Sequence, residues 1–138
     1  MPDQKTLTFV LMDAPYESAR STTAYRLIDI AARRGHTIKV FAYEGAAAQP
    51  FIKQIPHANS VHACDVNAED HPNPKEWIAA LMTEAKKNGG ALEWINCGLC
   101  VDERGVGEAI PGVVRGSPAD LLKISEASVN TLVIPTKG

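Results

Sequence analysis

The 138-residue chain has a formal net charge of -2, 45% hydrophobic and 22% charged residues. That is enough to bury a continuous core as one domain, 1–138, without disulfides or metal. Its 14 basic and 16 acidic residues are interspersed, so it lacks the basic stripe with which nucleic-acid binders displace counterions. Apolar runs such as 131–134 fall far short of the roughly 20 residues that span a bilayer.

The opening segment, Met1-Pro2-Asp3-Gln4-Lys5, leads into strand-like sequence without the basic start, apolar stretch and cleavage site of a signal peptide. A cytoplasmic location is the expectation. Residues 6–12, β-branched and apolar and bounded by Asp13-Ala14-Pro15, predict a buried strand. Ala24, Leu27, Ile28, Ile30, Ala31 and Ala32 then recur at helical spacing over 18–34, with Gly35 as the stop. Residues 36–43 alternate as a second strand. Residues 45–74, interrupted by prolines and small polar residues, read as a long and partly helical connection, a length that tends to be functional or interfacial. Asn73-Pro74 opens a helix with Trp77, Ile78, Leu81, Met82 and Ala85 on one face, ending at Asn88-Gly89-Gly90. Residues 91–96 predict a third strand, 97–105 a short helix, 106–116 a loop, 117–127 a helix capped by Ser117-Pro118, and 129–134 a closing strand. This alternation predicts an α/β fold, a flavodoxin-like three-layer α/β/α sandwich with a mostly parallel sheet.

Three cysteines are an odd number for a disulfide framework, and reduced thiols are expected. Cys97 and Cys100 form a Cys-x-x-Cys pair where a strand ends, the side of an open α/β sheet at which chemistry collects. If a helix starts near Cys97, free backbone N–H groups favour thiolate there. Helical spacing at i, i+3 and i+7 would set Cys97, Cys100 and Arg104 on one side. A sulfur-loaded cysteine, Cys–S–S⁻, is an anion that suits such surroundings, with its sulfur presented to solvent. Cys100 would assist by relaying the outer sulfur, or by attacking the inner one to release sulfide.

The segment 91–97 followed by Arg104-Gly105-Val106 resembles the strand-cysteine-helix-Arg-Gly segment of the DsrE/DsrF/TusD sulfur-relay family. Ala24 to Gly35-His36 and Ser117 to Ile134 are similar to that family's first helix and closing helix and strand. The resemblance implies an intracellular sulfur carrier or sulfurtransferase with the persulfide (or thiosulfonate) on Cys97, no organic cofactor, and assembly as a homotrimer or homohexamer. It implies TusA-like or rhodanese-like proteins as sulfur donors and acceptors. Cys100 departs from the single-cysteine members and matches the branch with Cys-Gly-x-Cys. The contrasting reading is a non-catalytic oligomeric subunit or a thiol redox sensor of the same fold.

Other features read more plainly. His57, His62, Cys64 and His71 are of metal-binding types, but their spacing fits no standard finger, and no metal is expected. The glycines at 105, 107, 112 and 116 form no phosphate-cradling motif. The two carboxylates of 13–18 would repel a phosphate, leaving that segment a structural loop. Tyr16, Ser18 and Arg20 would line the thiol crevice if the first strand lay beside the third. Trp77 and Trp94 read as core, and Arg33-Arg34 as a solvated helix end.

Overall fold

The computed structural model describes residues 3–56 and 73–136. Five strands, β1 (Thr6–Leu11), β2 (Thr37–Ala42), β3 (Ala91–Cys97), β4 (Val113–Gly116) and β5 (Asn130–Ile134), form one sheet in the order β4-β3-β2-β1-β5. Every pairing is parallel. The helices are α1 (Ala19–Arg33), α2 (Pro74–Lys87), α3 (Gly98–Glu103) and α4 (Pro118–Glu126), with a 3-10 turn at Glu44–Ala48.

The topology follows from the crossovers. β1, β2, β3 and β4 step across the sheet in one direction, and α1 and α2 pack side by side on one face, as right-handed connections require. The chain then returns through α4 to β5 at the opposite edge. Side-chain alternation along the strands sorts the two faces. Phe9, Leu11, Ile38, Val40, Ala42 and Trp94 point toward Ala24, Tyr25, Ile28 and Ala32 of α1 and Ile78, Leu81 and Ala85 of α2, forming the main core. The opposite face carries Phe41, Ile95 and Cys97, with Leu121 and Ile124 of α4 packed against them. Thr8 hydroxyl donates to the Ile124 carbonyl at 3.3 Å, fastening α4 to β1. No residue of α4 is itself buried, so this second layer is thin. The sandwich is three-layered, and its sheet is wholly rather than mostly parallel.

Two expectations are corrected. β1 does not lie beside β3, because β2 pairs with both and separates them. The 106–116 stretch contains a strand, β4, with Cys97 opposite Gly116 and Asn96 opposite Arg115. It is four residues long and only half-buried or exposed, too short to print an alternation. In the long connection after β2, the 3-10 turn is followed by Phe51, which bridges Ala109 in an antiparallel sense.

Trp94 is fully buried, and the half-buried Trp77 stacks 4.9 Å from Tyr25, so both tryptophans belong to the core. Gln49, also fully buried, ties three elements together: its amide donates to the Asp13 carbonyl at 2.9 Å and the Ser21 hydroxyl at 2.8 Å, and it accepts from the Tyr25 hydroxyl. Such a satisfied network adds rigidity where an unpaired amide would be costly.

The turn into β3 sets its register. A Cβ at Gly90 would stand 2.2 Å from the His36 carbonyl oxygen, a backbone atom, whereas one at Gly89 meets nothing but sits at φ +86. Gly90→Ala is therefore expected to cost more than about 1–3 kcal/mol, because backbone must move. Gly89→Ala should cost about 1–2 kcal/mol from its left-handed conformation alone. Urea midpoints of the two variants measure this; a Gly90→Ala loss equal to or below that of Gly89→Ala would contradict the packing described.

Candidate functional site

The site is built where β3 gives way to α3. Cys97 ends the strand and occupies the N-cap position, with φ -66 and ψ 114, and makes no capping hydrogen bond. Its side chain shares a face with Ile95 and packs in a cluster with Phe41, Ala47 and Cys100. Cys97 is only 3% exposed and Cys100 only 8%. The expectation of a sulfur presented to solvent is thus not met: both thiols are roofed by apolar neighbours and by the turn at Glu44–Ala48, which contacts α3.

That turn governs Cys100. Glu44 adopts φ +54, unusual for a side chain with a Cβ, and its backbone N–H donates to Cys100 Sγ at 3.1 Å. Tyr43 N–H to the Leu11 carbonyl and Ala46 N–H to the Met12 carbonyl, both at 3.1 Å, stitch the turn to the end of β1. Burial pushes the Cys100 thiol above its ordinary value, as does the adjacent Cys97; the Glu44 amide and the Arg104 charge oppose this without reversing it. Cys100 is therefore held as a neutral thiol against its partner sulfur.

Arg104 caps the other end of α3, and its Nη2 pairs with Glu44 Oε2 at 2.7 Å. The three residues Cys97, Cys100 and Arg104 are indeed gathered around α3, but not as one helical stripe, because Cys97 precedes the helix. Arg104 belongs electrostatically to Cys100. A second guanidinium near α3 belongs to a residue the sequence did not single out, Arg115, which β4 pairs opposite Asn96. It lies across Gly98, where a Cβ would come within 2.5 Å of Nε and 2.8 Å of Cζ. Asp102 holds it in a fork, with Nη2 to Oδ2 at 2.5 Å and Nη1 to Oδ1 at 3.2 Å. The pairing keeps the Asp102 carboxyl below, and the Arg115 guanidinium above, their ordinary values. The only sequence signals for Arg115 are the brief 113–116 strand and the glycine between the two cysteines.

Beneath the thiols, Asn96 is buried on the opposite face; its amide donates to the Ala47 carbonyl at 3.0 Å and its oxygen accepts from Trp94 Nε1 at 2.9 Å. A cavity of about 290 Å³ opens beside β4, its wall including Asn96, Val101, Glu108, Val113 and Arg115.

Tyr16, Ser18 and Arg20 do not reach this site, since β2 intervenes. Ser18 hydroxyl donates to the buried Asp13 carboxylate and accepts from the Arg20 N–H at the start of α1. Arg20 donates to the carbonyls of Pro135 and Thr136 beyond β5. Tyr16 lies with Ser18, Tyr25 and Trp77 around a void of about 20 Å³. These contacts tie the 13–18 loop to the start of α1, and α1 to the residues after β5. Arg33 pairs with Asp29 at 3.0 Å and Glu84 at 3.3 Å as an exposed helix end. His57, His62, Cys64 and His71 lie outside the described residues. Among the described residues no group of three or more His, Cys, Asp or Glu side chains is placed to hold a metal, and no helix is long and apolar enough to cross a membrane.

The raised thiol of Cys100 has a pH consequence. A group whose value is higher folded than unfolded contributes stability below its unfolded value, and that contribution is lost as pH rises through the folded value. Stability in reductant should therefore decline as pH rises past the ordinary thiol value of about 8.5, and decline less steeply in Cys100→Ala. Urea midpoints across that pH rise test this; parallel curves for the two proteins would count against the buried, neutral Cys100.

The family model described as "DsrE/DsrF-like family" matches residues 5–133. No curated protein matches. Among solved structures, the crystal structure of the ychN protein from E. coli superposes with a TM-score of 0.72 at 20% identity, covering 95% of this chain and 99% of that one. At that identity the likeness establishes the fold.

Proposed function

Because the chain belongs to the DsrE/DsrF-like family, and because its two described cysteines meet at the carboxyl end of a central parallel strand, we propose that it is an intracellular sulfur carrier or sulfurtransferase. Cys97 takes up sulfane sulfur as a persulfide or thiosulfonate, and Cys100 assists its transfer or release. The observation that carries this reading is the Cys97–Cys100 pair itself, packed together at the start of α3, with the charge of Arg104 acting on Cys100.

The chemistry is a pair of thiol exchanges. In loading, the Cys97 thiolate attacks the outer sulfur of a persulfide donor, R–S–SH. The new S–S bond forms on Cys97, the donor's S–S bond breaks, R–S⁻ leaves, and nothing is oxidised or reduced overall. In forward transfer, an acceptor thiolate takes the outer sulfur in the same way. In release, the Cys100 thiolate attacks the inner sulfur, hydrosulfide departs, and a Cys97–Cys100 disulfide remains. Two electrons from a cellular dithiol reductant then restore the pair. The raised Cys100 value suits this order, since a neutral Cys100 does not expel the sulfur before an acceptor arrives.

Burial of both thiols requires the roof to open for either exchange. α3 is only six residues long, and beside the packing of Cys100 and Val101 it is held by the Glu44 and Asp102 contacts, so docking of a TusA-like or rhodanese-like partner on its exposed edge would compete with those ion pairs. Leu99, 60% exposed on α3, gives such a partner an apolar foothold. Assembly as a homotrimer or homohexamer in the cytoplasm, as one domain over 1–138, completes the proposal.

Burial also favours a second reading, in which the pair is a redox-sensing or packing element of a non-catalytic subunit. Peptide masses after incubation with polysulfide separate the two. Loading should appear on Cys97 and vanish in Cys97→Ser, a loss of at least about 100-fold for removal of a nucleophile. Cys100→Ser should still load but release sulfide more slowly in reductant. A protein that carries no added sulfur on Cys97, yet forms the disulfide readily, is a sensor and not a carrier.

A further inference from the structure

A carboxylate stands beside Cys97 on the β4 side. Gly116 is the residue that β4 pairs with Cys97, and paired residues of neighbouring strands, about 4.8 Å apart, turn their side chains to the same face of a sheet. For Cys97 that is the face it shares with Ile95, under Leu121 and Ile124 of α4. Gly116 has no side chain to place there, and the position is filled from α4 instead. A Cβ at 116 would stand 2.8 Å from Asp120 Oδ2 and 2.5 Å from Ile95 Cγ2. Asp120, half-buried in the first turn of α4, thus sets its carboxylate in the row next to the Cys97 side chain.

The surroundings hold that carboxylate in place and leave its charge uncompensated. Its Oδ2 accepts from the Ser117 N–H at 2.7 Å and the Ser117 hydroxyl at 3.3 Å, which closes the capping box of α4. Glu44 and Asp102, the carboxylates on the α3 side, are each paired with an arginine, whereas Asp120 makes no ion pair among the described residues. The groups packed around Cys97 from the other elements are Phe41 of β2, Ala47 of the 3-10 turn, and Leu121 and Ile124 of α4, all apolar, together with the neutral thiol of Cys100. None of these offsets a negative charge.

We propose that Asp120 is the charge-selecting residue of Cys97: it slows small anionic sulfur donors relative to uncharged ones, so that sulfur reaches Cys97 preferentially from a donor that brings no net negative charge. This rests on the sulfur-carrier reading given above. The same repulsion acts after loading. An added sulfur extends Cys97 by about 2 Å, and the negative charge it bears is disfavoured by a like charge nearby, which assists transfer to an acceptor.

The test is charge discrimination in an irreversible reaction that needs no sulfur transfer. Cys97 of the reduced full-length protein is alkylated with iodoacetate, an anion, and with iodoacetamide, its neutral counterpart, and the two rates at Cys97 are read by peptide mass. Their ratio cancels the cost of opening the roof, which both reagents share, and any general loosening of α4. Asp120→Asn should raise the iodoacetate-to-iodoacetamide ratio roughly three-fold, the scale of one partly exposed charge contact. Asp120→Glu should keep it near the wild-type value, as should Glu126→Gln, which removes the same charge from the far end of α4. Gly116→Ala, whose methyl takes the place the carboxylate now fills, should also raise the ratio, and it carries the test should Asp120→Asn not fold. An unchanged ratio in Asp120→Asn, an equal change in both rates, or an equal rise in Glu126→Gln would overturn the assignment. Failure of the wild-type protein to accept sulfur from polysulfide would end the carrier reading and leave the alkylation result standing.

Discussion

The contact on which the site depends is made by one residue in an unfavourable conformation. Glu44 turns the chain at φ +54 immediately after β2, and from there its N–H reaches Cys100 Sγ while its carboxylate reaches Arg104. A six-residue helix has little stability of its own; α3 holds its place because Glu44 grips its first turn and its end at once. The turn is in turn laced to the end of β1 by Tyr43 and Ala46, so the register of three adjacent strands is transmitted to the position of one sulfur. Left-handed backbone at a non-glycine residue costs about 1–3 kcal/mol and persists where its surroundings over-determine it. Here the thiol contact and the ion pair are those surroundings.

Much of this architecture was legible in the sequence, for reasons that separate local from non-local information. The apolar run of β1, the periodic faces of α1 and α2, and the Pro-first starts of α2 and α4 are local signals, and the structure places each element within a residue or two of where its pattern puts it. Cys97 at the end of a strand was equally local. Strand order was not, because β2 lies between β1 and β3 by virtue of crossovers that leave no mark on composition; Tyr16, Ser18 and Arg20 were placed at the thiols for that reason alone. β4 escaped notice because four half-covered residues carry no alternation.

The burial of the thiols departs from the sequence expectation for a related reason. Reading Cys97 as the first residue of a helix put it on a stripe with Cys100 and Arg104, whereas it remains in strand geometry and follows the parity of Ile95, inward on the α4 side. Parity along β3 was available: Trp94 and Asn96 face one layer, Ile95 and Cys97 the other. Arg115 was invisible because its proximity depends on β4 and on the gap left by Gly98.

The result is a site that is closed at rest, with both thiols covered. Arg104 pairs with Glu44 and Glu103, and Arg115 with Asp102, on and beside the short helix that carries Cys100, whose thiol burial keeps neutral. Family membership and fold fix the setting; the identity of the sulfur-bearing atom is the central claim. A crystal structure of the reduced protein exposed to polysulfide tests it most directly. The account predicts one additional sulfur bonded to Cys97 Sγ, with Cys100 free. Extra density bonded to Cys100 instead, or two unmodified thiols, would contradict it.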